Sequence, residues 1–274
     1  MPEPSKTRST GVTANQADFD AIVVGAGFAG LHMLYRLRKL DLKVRVFEAG
    51  GGIGGTWYWN RYPGARCDAV SVEYSYQFSD ELQQEWDWSE IYASQPEILR
   101  YLNHVADRFD LRPDIQLDTR VNAMRFDEAS TLWQVDTGSA TVSAKFCIMA
   151  SGCLSSPNTP AIKGLDSFAG PTYHTGRWPH EDVDFSGKRV GIIGTGSSAI
   201  QAIPIIATQA EHLFVFQRTA NYTVPAQNGP HDPKFIERIK ADYKGFRKKN
   251  RLLPFGNNLR HNDKASLEVS AEER

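Results

Sequence analysis

Two stretches of this chain combine glycine spacing with side chains able to do chemistry. In the first, Gly25-Ala26-Gly27-Phe28-Ala29-Gly30 follows the apolar run Asp20-Ala-Ile-Val-Val and precedes Met33, Leu34, Leu37 and Leu40 at helical spacing. A second apolar run, Lys43-Val-Arg-Val-Phe, ends on Glu48. Strand, glycine turn, helix and strand form the setting in which a GxGxxG pattern holds a dinucleotide. Gly25 permits the tight turn, Gly27 admits a pyrophosphate to the backbone, and Gly30 lets helix and strand pack closely. The helix start offers partial positive charge to the diphosphate, and Glu48 can accept hydrogen bonds from a ribose diol. In the second stretch, Lys188-Arg-Val-Gly-Ile-Ile leads into Gly194-Thr195-Gly196-Ser197-Ser198-Ala199, a helical face kinked at Pro204, and His212-Leu-Phe-Val-Phe-Gln217-Arg218-Thr219.

The offsets sort the ligands. Glu48 stands 23 positions after Gly25, and Gln217 stands 23 after Gly194. A carboxylate at the first strand tip repels a 2′-phosphate, so that unit suits FAD or NAD. The neutral Gln217 followed by Arg218 suits NADP(H), because a guanidinium grips a phosphate with paired charged bonds. A surface arginine is the plain alternative. Two dinucleotides of different kinds on one chain suggest a hydride relay from NADPH to a flavin. Between the turns lies Gly54-Gly-Thr-Trp57-Tyr58-Trp59-Asn-Arg61-Tyr62-Pro-Gly64-Ala-Arg66-Cys67-Asp68, too dense in rings and charges for a solvated connector.

The elements that position these groups follow from pattern. Segments 120–126, 132–136 and 144–150 read as strands, the last ending at Ala150-Ser-Gly152 where backbone can approach a cofactor. Segment 97–106 reads as an amphipathic helix whose apolar face is core, with His104 an ordinary partly buried histidine. The basic run Arg247-Lys248-Lys249-Asn250-Arg251 reads as a solvated helix face. The chain has 274 residues, 41% hydrophobic and 23% charged, with net charge -1, so it is a globular protein with no global field for nucleic acid or an anionic membrane. Cys67, Cys147 and Cys153 form no CxxC pair and no ligand cluster, so neither a metal site nor a disulfide framework is expected, and a reducing cytoplasm is. The polar start reads as a disordered tail, and no apolar run approaches the roughly 18 residues of a membrane span.

The residues then carry a resemblance. Phe168-Ala-Gly170-Pro-Thr-Tyr-His174-Thr-Gly-Arg-Trp178-Pro179 is a complete match to the fingerprint of the type I Baeyer–Villiger monooxygenases. Gly55, Trp57, Tyr62, Pro63, Gly64 and Asp68 fall on a second pattern of that family, and ARCDAVSVEYSY, ASQPEILRYLNHVADRFDLR and VFQRT resemble its phenylacetone and steroid monooxygenase subgroup. The resemblance runs from about residue 18 to the last residue. It implies an α/β fold of two doubly wound dinucleotide-binding, Rossmann-like domains, with a tail at 1–18, an FAD domain at 19–155, a linker at 156–185 and an incomplete NADP domain at 186–274.

It implies a flavin-dependent monooxygenase using FAD and NADPH to insert one oxygen atom from O2 beside a ketone carbonyl. Implied FAD contacts are Gly25 to Gly30, Glu48, Thr56 and Trp57, with Tyr74 and Val121 also cofactor-binding. Arg66, Cys67 and Asp68 face the nicotinamide side. Thr195, Gly196, Ser197, Ser198, Gln201, Arg218 and Thr219 hold NADP(H). Asp68 is the supporting catalytic residue, pairing with an arginine that lies in the family downstream of anything matching residue 274. Residues 1–274 by themselves are therefore expected to bind FAD poorly and not to oxygenate ketones. Small-molecule ketone and O2 are the implied partners, with a monomer plausible. The competing readings are an N- or S-oxygenating flavin monooxygenase, a pyridine nucleotide–disulfide reductase, which needs a redox cysteine pair, and a non-catalytic nucleotide-binding fragment.

Overall fold

The structure is a computed structural model that describes residues 16–221, 223–257 and 264–272; most of the expected tail at 1–18 lies outside the described residues. In chain order come β1 (Phe19–Val24), α1 (Phe28–Arg38), β2 (Val44–Phe47), α2 (Thr56–Trp59), α3 (Asp80–Glu85), α4 (Gln95–Arg108) and β3 (Ile115–Gln116). There follow β4 (Ala123–Asp127), β5 (Leu132–Asp136), β6 (Thr141–Met149), β7 (Arg189–Ile193), α5 (Ser197–Ala207), β8 (His212–Phe216), α6 (Pro233–Ala241) and α7 (Tyr243–Arg251). Among the described residues no helix is long and apolar enough to cross a membrane.

Two compact units emerge. The first holds the described residues through Tyr62 together with Leu99–Val183; the second holds Pro63–Ile98 together with the described residues from Asp184 onward. The segment 63–98, which the sequence reading assigns to the first nucleotide domain, thus groups with the second. Its hydrogen bonds explain this: Arg66, Asp68, Ser71, Glu73 and Tyr92 all bond to residues between 201 and 250.

The first unit is built on a six-stranded sheet in the order β3-β2-β1-β6-β5-β4. β1 pairs parallel with β2 and β6, and β2 with β3, while β4, β5 and β6 form an antiparallel meander. β1 reads as a continuous apolar run because it is central: Ala21, Ile22 and Val23 are fully buried. Ile22, Phe47, Val135 and Ala144 form a core cluster against which Val121 and Cys147 pack. Two aspartates tie the sheet's edge together. Asp18 accepts bonds from the Ser143 amide and hydroxyl, and Asp20 accepts from the Lys43 amide and pairs with Lys145 at 2.7 Å.

In the second unit β7 and β8 pair parallel through five residues, joined by α5. Ile193 and Phe216 remain exposed. The basic helix α7 corrects its sequence reading. Lys248 and Lys249 are exposed, but Arg247 donates to the Glu73 carbonyl (2.8 Å) and the Ser75 hydroxyl (2.7 Å), and Asn250 is buried on the Glu73 carboxylate. One face of the run is a clamp on residues 73–77.

Candidate functional site

The first glycine turn is forced by packing. Gly25 has φ +105°, and a Cβ there would stand 2.6 Å from the Ala150 carbonyl oxygen. A Cβ on Gly30 would lie 1.8 Å from the Gly25 oxygen, so only glycine lets α1 reach the sheet. The Ala150 strand end, expected to let backbone approach a cofactor, lies against this turn. α1 begins at Gly27 with no side-chain cap, which leaves its N-terminal dipole turned to the turn itself.

Glu48 holds the turn as well as facing it. The side chain is 5% exposed; one carboxylate oxygen accepts from the Ala26 amide at 2.7 Å and the other from the Gly50 amide at 2.8 Å. A carboxylate has about four acceptor positions, so two remain for a ribose diol. The second turn repeats this contact with different chemistry. The Gln217 amide donates to the Thr195 hydroxyl at 2.8 Å, and Thr195 is the residue after Gly194 just as Ala26 follows Gly25. Asn221, which the sequence reading did not single out, donates to the Thr195 carbonyl at 2.9 Å. Arg218 and Thr219 are exposed just beyond β8, and α5 starts at Gly196 without a side-chain cap. Gly194 has the same φ of +105°, and among the described residues nothing lies within 4 Å of a Cβ there.

The aromatic stretch is divided between the units at Tyr62 and Pro63. Its first half packs on the glycine turn. Gly54 donates to the Ala26 carbonyl, and a Cβ on Gly55 (φ +54°) would meet the Gly27 Cα at 2.9 Å. Tyr58 lies over Gly50 and Gly52, where a Cβ would touch its ring at 2.8 and 2.6 Å, and its other ring neighbours are Trp59 and His180. Arg61 reaches back to the Tyr58 carbonyl and over its ring. Trp57 is buried and Thr56 opens α2 beside Gly55. Of the remaining residues expected here, Ala29 is exposed, Phe28 faces Tyr101, and Val121 sits in the core cluster described above.

The second half belongs to the second unit. Residues 65–71 run beside 91–95: Cys67 donates to the Ala93 carbonyl, Gln95 to Ala65, and Ser71 to Ile91. Arg66 pairs with Glu90 at 3.0 Å, and Asn228 donates to the same carboxylate. Cys67 is buried, and that burial pushes its thiol above the ordinary value. Asp68, expected to pair with a downstream arginine, is exposed, and its Oδ1 accepts from the Gln201 amide at 2.9 Å. Gln201, expected on the coenzyme, also accepts from the Arg66 amide (3.2 Å) and donates to the Arg66 carbonyl (3.1 Å). Tyr74 is half-buried. Deeper in this unit the Ser71 hydroxyl meets His231 Nε2 at 2.7 Å, and burial lowers that imidazole's pKa, partly offset by Glu97.

The fingerprint stretch is a local knot in the first unit. His174 Nδ1 accepts from the Gly176 amide at 3.0 Å, and Nε2 meets the Asn158 carbonyl at 3.2 Å, so the ring carries its proton on Nε2. Tyr173 and Trp178 pack ring to ring, and Phe168 lies against Gly170. Both nitrogens of His174 serve the backbone.

Comparison with known proteins follows the same lines. Residues 22–244 match the family model described as pyridine nucleotide-disulphide oxidoreductase. A protein of Pseudooceanicola batsensis named "Baeyer-Villiger monooxygenase" is 48% identical over 88% of this chain and 45% of its own length. The "Cyclohexanone 1,2-monooxygenase" of Acinetobacter sp is 43% identical over 95% of this chain and 48% of its own. A solved structure titled "Oxidized steroid monooxygenase bound to NADP" superposes with a TM-score of 0.86 at 58% identity, covering 94% of this chain and 50% of that one. The chain spans about half the length of the curated relatives it matches.

Proposed function

The chain belongs to the pyridine nucleotide-disulphide oxidoreductase family and, within it, to the type I Baeyer–Villiger monooxygenases, and from that premise we propose that the whole protein carrying these residues uses FAD and NADPH to insert one oxygen atom from O2 beside a ketone carbonyl. The single observation that carries this reading is the pair of strand-tip contacts. Glu48 braces the first glycine turn with a buried carboxylate, and Gln217 braces the second with a neutral amide beside Arg218. Disulfide chemistry of the kind the family description names finds no support, since Cys67, Cys147 and Cys153 are all free thiols. Free thiols also suit a reducing cytoplasm.

The residues of the first turn fit FAD. Side chains are shut out at Gly25 and Gly30, which leaves backbone to meet a diphosphate, and Glu48 retains acceptor positions for an adenosine ribose. When bound, FAD supplies the redox centre that takes hydride from NADPH and activates O2. The protein's part is binding, orientation and exclusion of water. The Gly54–Gly55 backbone packs on the turn, Tyr58 covers Gly50 and Gly52 beside it, and the buried Trp57 follows in the same stretch, an aromatic cover suited to excluding water. Thr195, Gly196, Ser197 and Ser198 at the start of α5 receive the NADP(H) diphosphate, and Arg218 with Thr219 receives its 2′-phosphate. Asp68 orients a guanidinium that the resemblance puts later in the protein. We keep the sequence-based FAD part, linker and NADP part with one change, the transfer of 63–98 from the FAD part to the NADP part.

The test is product analysis. Whole protein, FAD, NADPH and oxygen are incubated with cyclic and aryl ketones together with a thioether, under labelled O2, and products are read by mass spectrometry. Esters or lactones carrying one labelled oxygen are expected. Sulfoxide alone, or NADPH consumption without oxygenated ketone product, would overturn the reading.

A further inference from the structure

Gln201 lies one turn into α5, three residues beyond Ser198. Its amide is committed to the loop that carries Asp68. Nε2 donates to the Arg66 carbonyl at 3.1 Å and to Asp68 Oδ1 at 2.9 Å, and Oε1 accepts from the Arg66 amide at 3.2 Å. A carboxamide has two N–H donors, and both are used here. The backbone fixes which end is which, because an amide N–H needs the oxygen and a carbonyl needs the nitrogen; no flip satisfies both. A neighbouring contact seats the same loop on the same helix. Gly64 has φ +76°, and a Cβ there would come within 2.3 Å of the Gln201 carbonyl oxygen and 3.1 Å of Ile205 Cγ1. Residues 201 and 205 are one helical turn apart, so one stripe of α5 carries the whole loop.

We infer that Gln201 is a positioning residue for Asp68, not a ligand of the coenzyme. The helix whose first turn receives the NADP(H) diphosphate thereby also sets the direction of the carboxylate. The inference rests on the proposed monooxygenase reading for Asp68's role, but the clamp itself is a property of this chain's own residues.

The experiment uses the whole protein and two variants. Gln201→Leu removes all three bonds; Gln201→Glu is isosteric, keeps the acceptor for the Arg66 amide and turns the donor toward Asp68 into a carboxylate. Hydrogen exchange of the peptide covering residues 64–70 is measured together with NADP+ affinity and steady-state kinetics. Exchange at this peptide is expected to rise on the order of tenfold in both variants, because Q201E keeps only the acceptor for the Arg66 amide, loses both donors and sets a carboxylate against Asp68. In both variants kcat for ester formation is expected to fall by about tenfold or more with NADP+ affinity and the NADPH KM unchanged. The opposite split, weakened NADP+ binding with kcat retained, would make Gln201 a coenzyme ligand and overturn the inference, as would wild-type exchange in Q201L. The exchange and affinity measurements need no oxygenation, so a protein that makes no ester sinks the functional reading while the clamp is still decided.

Discussion

Gly25 and Gly194 allow a controlled comparison inside one molecule. Both follow a parallel strand, both have φ +105°, and each sits 23 positions before its strand-tip residue. Within the described residues of these 274 they differ in what a side chain would meet: the Ala150 carbonyl oxygen at 2.6 Å for Gly25, and nothing within 4 Å for Gly194, so the comparison is made on this length of chain. Substitution by alanine at either position imposes a sparsely populated backbone conformation, which costs about 1–3 kcal/mol. At Gly25 the overlap with a backbone atom adds about 1–3 kcal/mol, because a strand end cannot swing aside as a flexible side chain can. Gly25→Ala is therefore expected to destabilise by about 2–6 kcal/mol and Gly194→Ala by about 1–3 kcal/mol. For a chain of this size each kcal/mol moves Tm by roughly 2–4 °C. Thermal and denaturant unfolding followed by circular dichroism would measure both, with the midpoints of the two units resolved by a fluorescence probe on each. Equal costs at the two sites would refute the packing argument and leave backbone strain as the whole effect. Position 199 gives an internal control, since alanine already occupies the place in the second turn where the first requires Gly30.

Replacing Arg218 by alanine in the whole protein is expected to lower the preference for NADPH over NADH by about tenfold or more, read from the two KM values; an unchanged ratio would remove the basis for assigning the second site. Among the thiols, exposed Cys153 should react first with maleimide, ahead of buried Cys67. Burial pushes Cys147 up to about 11, so at pH 8 only about one part in a thousand is thiolate and its labelling should climb steeply at higher pH. Peptide mass spectrometry checks the order, and early modification of Cys147 would contradict it. Hydrogen bonds from Ser143 hold the Asp18 carboxyl below the ordinary aspartate value, and those from Lys145 and Lys43 do the same for Asp20. Because the folded values are depressed, the ties between β1, β2 and β6 are present above the ordinary range and are lost as pH falls through the folded values, below 3.8. The Ser143 amide resonance should report that loss, and Asp18→Asn should abolish its pH dependence.

Local pattern carried much of this protein. Glycine spacing after apolar runs located both turns, since a positive φ and a close helix approach leave no other residue a choice at Gly25 or Gly30. The 23-residue interval located Glu48 and Gln217, because helix and return strand have fixed lengths in such a unit. The strand at 132–136 was legible from apolar content and turn residues alone, and the one read at 144–150 forms but starts three residues earlier, at Thr141–Met149. What sequence left undetermined involves partners far apart along the chain. Gln201 reaches Asp68 across 133 positions, and Arg247 reaches Ser75 across 172. No short-range period encodes such contacts: a glutamine on a helix reads the same whether it meets a coenzyme or a loop, and a basic run reads as solvated whether or not backbone carbonyls await it. The same limit explains why 63–98 joined the second unit against its place in the chain, and why the Ala150 carbonyl comes to wall the first glycine turn. Residue type and spacing decide which conformations are allowed; only the meeting of distant backbone decides which of them are filled.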